Sequence, residues 1–302
     1  MSAINRRDFI KAASSMVGAA ALAGVTPALA APSEGKGPSV SASTRSYEIY
    51  AVKYAGPFDR KLAMALFNTG WNEEIQINFY TWVLRDKDGG TVLVDTGTGP
   101  TLARERNIKN FIPPETLIAR LGVKPEQVSK VILTHMHYDH VGGMEVFPEL
   151  YPKATFYVQK REYDFWLNDP ISRRAPYKGL SSSIGNARME EMLKSKRLVL
   201  ADGDKAVAPG MALLLTPGHT TGLQGVLVQT EKGPAVVASD SAHLARSYKD
   251  DVPSCLITDL PAWLKSYDKL RAKAALENIF PGHDALMASA YPAVAEGVTR
   301  LA

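Results

Sequence analysis

The chain has 302 residues, 45% of them hydrophobic and 22% charged, which is enough apolar material to fill a core and enough charge to cover it, and so excludes a disordered or fibrous protein. Of the formal net charge of +4, Arg6, Arg7, Lys11 and Asp8 account for two units. What is left offers no basic excess for nucleic acid or an anionic membrane as partner.

In chain order, the first element is an export signal over residues 1–30. It comprises Asn5-Arg6-Arg7-Asp8-Phe9-Ile10-Lys11, an apolar run over residues 12–25 and the small-residue site Ala28-Leu29-Ala30. The apolar run is shorter than the ~20 residues that span a bilayer, so no stable membrane anchor is expected. The arginine string resembles the twin-arginine signal, which implies recognition by the twin-arginine export machinery, passage in a folded state and a periplasmic or secreted product. Cys255 is the single cysteine, so no intramolecular disulfide can form, and it is expected to be an inert packed residue.

Residues 31–44 are rich in Pro, Gly and Ser without apolar periodicity and read as a linker. From residue 45 to 302 strands and helices alternate. Residues 47–54 and 76–85 read as extended, and Asp86-Lys87-Asp88-Gly89-Gly90 supplies a turn before a strand over 91–95. Helices are expected over 115–121, 125–130 and 160–167, with short strands over 131–133 and 154–158. Residues 168–196, punctuated by Pro170, Pro176, Gly179 and three consecutive serines, are either a mobile cover or a long surface excursion. Strands follow near 212–215, 225–229 and 235–238, then an amphipathic helix over 261–276. Trp71, Phe79, Tyr80 and Trp166 either line a pocket or are ordinary core, since aromatic side chains fill cores everywhere.

The chemistry concentrates between Thr134 and Gly143, which reads THMHYDHVGG. Three histidines and an aspartate follow a short apolar strand, on a turn where side chains converge without folding the backbone far. Imidazole and carboxylate are common ligands of zinc, and solvated loops seldom gather so many of them.

This string, with Thr216-Pro217-Gly218-His219-Thr220, Ala238-Ser239-Asp240, Phe280-Pro281-Gly282-His283-Asp284 and Val94-Asp95-Thr96-Gly97 in the same order, resembles the metallo-β-lactamase superfamily. The resemblance runs from about residue 47 to about residue 291. It implies an α/β fold, an αβ/βα sandwich of two mixed sheets flanked by helices, forming one catalytic domain over residues 45–302. It also implies two divalent metal ions, zinc first with iron, manganese or cobalt as alternatives. His135, His137 and His219 would bind one ion, Asp139, His140 and His283 the other, and Asp240 both, with Asp95 buttressing the metal loop. A hydroxide bridging the two ions would be the nucleophile.

Departures from the superfamily's branches narrow the substrate. The best-known lactamases carry Cys where Asp240 stands, the diiron flavoproteins carry Glu where His137 stands, and no nuclease domain or basic arm is visible. Ala238-Ser239-Asp240-Ser241-Ala242-His243, the Pro281-Gly282-His283-Asp284 ending and the strand pair 79–85 and 92–96 are most similar to N-acyl homoserine lactonases. The resemblance therefore implies opening of a small-molecule ester, an N-acyl homoserine lactone in the first instance, with Asp139 carrying a proton to the leaving oxygen. In those lactonases a Tyr three residues after the bridging Asp contacts the lactone carbonyl; here that position is His243, which is either a donor to the substrate oxygen or a support for Asp240. The alternatives are a glyoxalase II-like thioesterase or an iron persulfide dioxygenase, and, as a non-enzyme, a silent metal-binding protein of the cell envelope. The oligomeric state carries no signature.

Replacing Arg6 and Arg7 together by Lys is expected to retain the full-length protein in the cytoplasm, scored by fractionation and the size of the chain. Continued export of the double variant would replace the twin-arginine assignment with a general secretory signal.

Overall fold

The computed structural model describes residues 45–302; the signal and linker expected over residues 1–44 lie outside them. β1 (Tyr47–Lys61) and β2 (Glu74–Asp86) form a long antiparallel pair, extending past the expected strands at both open ends. β3 (Thr91–Val94) returns along β2 after a turn in which Asp86 Oδ1 accepts the backbone N–H groups of Asp88 and Gly90, both at 2.9 Å. β4 (Val128–Ile132), β5 (Thr155–Gln159) and β6 (Leu198–Ala201) then run parallel to β3.

One expectation fails here. Residues 125–130 are not a helix: Pro125–Gln127 is one 3-10 turn, and β4 begins at Val128. Pro125 favours a helical start locally, but Val128, Val131 and Ile132 are all fully buried. The strand pairs with β3 on one side and β5 on the other, and that tertiary pairing overrides a weak helical preference.

The second sheet comprises β7 (Lys205–Ala208), β8 (Met211–Leu215), β9 (Gln224–Thr230), β10 (Gly233–Ser239) and β11 (Ile279–Pro281). Its order is β11-β10-β9-β8-β7, antiparallel except for the β10–β11 pair. Two short C-terminal strands, β12 (Ala293–Ala295) and β13 (Val298–Arg300), add to the outer side of β1, giving the larger sheet the order β12-β13-β1-β2-β3-β4-β5-β6.

Alternation along the strands sorts the core into layers, because successive side chains leave opposite faces. Ile49, Ala51, Trp82, Leu84, Val92 and Val94 of the large sheet meet Met211, Leu213, Val226, Val228, Ala235 and Val237 of the small one. Residues one position away, Tyr50, Val52, Val83 and Leu93, point instead to the outer helical layer with Leu117, Met144 and Met189. On the far side of the small sheet, Leu214, Leu227, Val236 and Ala238 pack against Trp263, Tyr267 and Leu270 of the helix Leu260–Lys273. The result is the αβ/βα sandwich, with mixed sheets in both inner layers.

The expected helix at 160–167 is present as Lys160–Tyr163 continued by a π-helical turn, Asp164–Asn168. Residues 168–196 include a helix, Ser183–Lys194, whose first turn is capped by the Ser182 hydroxyl accepting from Gly185 N–H at 3.1 Å. Its Met189 and Met192 enter the core beneath the large sheet, so this half of the segment is packed structure. Among the described residues no helix is long and apolar enough to cross a membrane.

Candidate metal centre

The side chains of the candidate site come from the loops after strand C-termini, with Asp139 and His140 in the short helix Tyr138–Val141 that follows the β4 loop. His135 follows β4, His219 follows β8, Asp240 follows β10 and His283 follows β11. The backbone must turn sharply at these ends, and two residues do so in the left-handed region although neither is glycine, Asp95 at φ 62° and Ser239 at φ 48°. Such backbone persists where surrounding bonds fix it. The Pro-Gly-His sequence recurs before His219 and His283 for a packing reason. A Cβ on Gly218 would come 2.2 Å from Trp263 Cβ, and one on Gly282 would come 2.3 Å from Asp240 Oδ1.

The seven residues that the resemblance implies are brought together, all of them buried. His135, His137 and His219 form one group and Asp139, His140 and His283 another, with ligand-type atoms within 4.8 Å of one another in each. Asp240 lies between them: Oδ1 is 3.3 Å from His140 Nε2, while Oδ2 is 3.1 Å from His283 Nε2 and 3.4 Å from His219 Nε2.

The tautomers follow from the outer partners, because a carbonyl or carboxylate oxygen can only accept. His219 Nδ1–H donates to Leu256 O at 2.9 Å, His283 Nδ1–H to Asn78 O at 2.9 Å, and His140 Nδ1–H to Asp95 Oδ2 at 2.8 Å. In its neutral form each ring then presents a bare Nε2 to the cluster. Asp95 also accepts the N–H and hydroxyl of Thr134 at 2.7 and 2.8 Å; the Thr134 oxygen, 3.1 Å from His135 Nδ1, then accepts from that ring. Burial raises the Asp95 pKa, opposed by His140 and Thr134.

The donor set fits a cation. His135 Nε2, His140 Nε2 and Asp240 Oδ1 are buried without a hydrogen-bond partner, and each such group costs about 1–3 kcal/mol when nothing satisfies it. His137 Nδ1 and His219 Nε2 face each other at 3.0 Å, an arrangement of two basic nitrogens that a shared positive charge stabilises. Burial, reinforced by neighbouring imidazoles, holds His135 and His137 well below the usual histidine pKa. Burial also lowers His219 despite Asp240. These three are therefore neutral at pH 7, the form that ligates metal. At His140 burial works against charge, yet Asp240, Asp139 and Asp95 outweigh it and raise the pKa well above normal; this negative field favours any cation placed there.

Two expectations near the site need correction or division. Cys255 is exposed rather than packed, because it belongs to the loop whose Leu256 carbonyl must reach His219. It lines the cavity over the cluster. Of the four aromatics, Phe79 lines that cavity with its ring 5.3 Å from His283, and the Trp166 ring lies 5.5 Å from His137. Tyr80 belongs to the core between the sheets, whereas Trp71 is 67% exposed and does neither.

His243 lines the cavity with its Nε2 3.4 Å from Asp240 Oδ2, while its Nδ1 is buried and unpaired. Burial holds this ring well below the usual histidine range, with Asp240 opposing. A titration near pH 6.5 is therefore not a property of this imidazole.

Glu162 carried no assignment in the sequence beyond its helix. It is fully buried, and its carboxylate accepts from Met136 N–H at 3.0 Å, Trp166 Nε1–H at 2.7 Å, the Thr220 hydroxyl at 2.7 Å and Gly222 N–H at 2.9 Å. Met136 stands between His135 and His137, and Thr220 follows His219. One carboxylate thus ties together the loops of all three histidines in the first group. Tyr54 does similar work for the second, donating to Asp139 O at 2.6 Å.

The family profile described as Metallo-beta-lactamase superfamily matches residues 80–283 of the chain. An N-acyl homoserine lactonase of Bacillus cereus is 28% identical over 226 residues, 69% of this chain and 82% of that protein. Among solved structures, a quorum-quenching N-acyl homoserine lactone lactonase superposes with a TM-score of 0.65 at 23% identity, covering 82% of this chain and 96% of that one. A dizinc quorum-quenching lactonase in complex with a product superposes with a TM-score of 0.56 at 18% identity, covering 80% and 91%.

Glu162→Gln keeps the side-chain volume but turns an acceptor into an amide donor facing other donors. It is expected to weaken metal binding by about 10–100-fold, the usual effect of losing a group that orients ligands, in a titration against a chromophoric chelator. Unchanged affinity in this variant would leave Glu162 with a packing role only.

Proposed function

Because the chain belongs to the metallo-beta-lactamase superfamily, we propose that it is a dinuclear metal hydrolase that opens a lactone, an N-acyl homoserine lactone in the first instance. The observation that carries this proposal is the placing of Asp240 between two three-residue ligand groups at the floor of one cavity. Two divalent ions held there would supply a nucleophile at neutral pH and polarise an ester carbonyl. Nitrogen and oxygen donors without thiolate suit zinc, and also iron, manganese or cobalt.

The cavity is about 310 Å³, with Met64, Ala65, Ile77, Phe79, Leu180 and Leu256 among its walls. That volume is at the lower end of ligand pockets, and its apolar walls suit an acyl chain. The lactonases named above favour a lactone over other esters as substrate. Asp139 is 9% exposed and also lines the cavity, which suits it to carry a proton to the leaving alkoxide while Tyr54 holds its backbone. His243 presents Nε2 at the cluster, so that its N–H can be shared between Asp240 and a substrate oxygen. Export by the twin-arginine route would place this activity in the periplasm, where the chain would arrive folded.

Metal analysis of the purified protein should find about two divalent ions per chain, and ring opening of an N-acyl homoserine lactone should be lost on chelation and return with metal. Full activity without metal would refute the mechanism, and cleavage of a thioester with no action on lactones would refute the substrate class. For His243, the Ala variant is expected to lose about a hundredfold in kcat at unchanged metal content, the usual effect of removing an oxyanion donor, with Tyr restoring part of it. A rate that falls only in step with lost metal would make His243 a support for Asp240 instead.

A further inference from the structure

Apart from Asp139 and Asp240, and the histidines of the cluster, the ionisable side chains on the cavity wall are Arg60, Arg106, the Tyr138 phenol and the Cys255 thiol. Arg60 is the penultimate residue of β1, and Arg106 follows the short helix Pro100–Glu105, so two segments far apart in sequence deliver a guanidinium to the same opening. Both side chains are exposed, and among the described residues neither has a carboxylate within 4.0 Å. Most other arginines of the described chain do have one.

Arg106 is held in place by uncharged groups. Its guanidinium lies 3.8 Å over the Tyr138 ring and donates to Gly179 O. Arg60 sits 5.5 Å over the Phe58 ring and donates to Asp59 O at 2.9 Å. The rings form one run: Phe58 is 4.8 Å from Phe79, which is 6.4 Å from Tyr138 and 5.3 Å from His283. Two cations therefore stand on one cavity wall, seated at the two ends of the ring run Phe58–Phe79–Tyr138, and neither is paired with a carboxylate among the described residues. An aromatic face positions a guanidinium without neutralising it, leaving the N–H groups not already given to Gly179 O or Asp59 O for an oxyanion.

We infer that Arg60 and Arg106 form a subsite for an oxyanionic group, so that the substrate of the metal centre carries a carboxylate or phosphate on the part that projects from the scissile carbonyl towards the cavity mouth. This inference rests on the lactone-hydrolase reading and restricts it to acyl groups that end in an anion. The apolar walls would hold the intervening methylenes, and the metal cluster the carbonyl at the other end.

The test uses the metal-loaded protein and three homoserine lactones that differ only in the acyl terminus: succinyl, its terminal carboxamide, and a terminal phosphonate of the same length. The ring-opened product of each is also measured by calorimetry. The expected result is about tenfold tighter binding of the carboxylate product than of the carboxamide, as for a charge-assisted contact, with a similar bias in kcat/KM. The bias should shrink as salt is raised. The phosphonate arm shows which oxyanion the pair prefers. In Arg60→Ala, Arg106→Ala and their double variant the carboxylate-to-carboxamide ratio should fall towards one, and Arg106→Lys should keep part of it. Because the ratio is taken within each variant, losses of fold or metal cancel. Equal binding of carboxylate and carboxamide, or a ratio that survives the double variant, overturns the subsite. Biased binding without ring opening of any probe keeps the subsite and overturns the lactone reading instead.

Discussion

Five imidazoles and two carboxylates that converge in a buried space repel or desolvate one another, and the rest of the molecule is arranged to hold them there. Each bare nitrogen needs its other ring nitrogen engaged outside the cluster, or the ring would rotate to satisfy itself. Asp95 meets that need for His140, and through Thr134 for His135, while the carbonyls of Leu256 and Asn78 meet it for His219 and His283. The left-handed turn at Asp95 is the local strain that lets one carboxylate reach the loop after a neighbouring parallel strand. Orientation by outer partners also raises the basicity of the inner nitrogens.

How much of this could be read beforehand differs by kind of residue. The gathering of the candidate ligand side chains was legible because His and Asp crowded at short spacing after apolar strands mark a place where donors converge. Their supports were not. Asn78 and Leu256 act through backbone carbonyls, which any residue type possesses. Glu162 looks like one more acidic position on an amphipathic turn until the fold brings Met136, Trp166, Thr220 and Gly222 around it. The fold class was legible from the motif order, whereas the start of β4 was misjudged: a Pro-Glu-Gln opening carries a local helical signal, and the partners that make Val128 a strand residue are β3 and β5, remote in sequence.

Exposure follows a similar division. A lone cysteine in an apolar setting is usually packed, but Cys255 is placed by a loop whose geometry answers to His219. Two of the four aromatics stand beside the cluster and two do not, although nothing in their identity separates them. The mouth of the cavity is built from long-range neighbours, β1, the segment around Arg106, the metal loop and the loop of Cys255, and so had no contiguous sequence to betray it. On the proposed reading, substrate choice would lie in that composite rim and the reaction type in the compact strings at the strand ends.

The ligands are divided between the two sheets: His135, His137, Asp139 and His140 follow a strand of the larger one, and His219, Asp240 and His283 follow strands of the smaller. Neither ligand group is complete on a single sheet, since His219 completes the first and His283 the second. A chain with only its first half folded therefore presents a loose scatter of donors. Ion capture would then be a late event, following the closing of the inter-sheet layer around Trp82 and Val237. Bound ions would then act as a clasp on the finished molecule, slowing its opening without hastening its assembly, since contacts made after the folding barrier chiefly retard unfolding. The lifetime of the folded protein would thus follow the supply of ions where it works, while its rate of maturation would not.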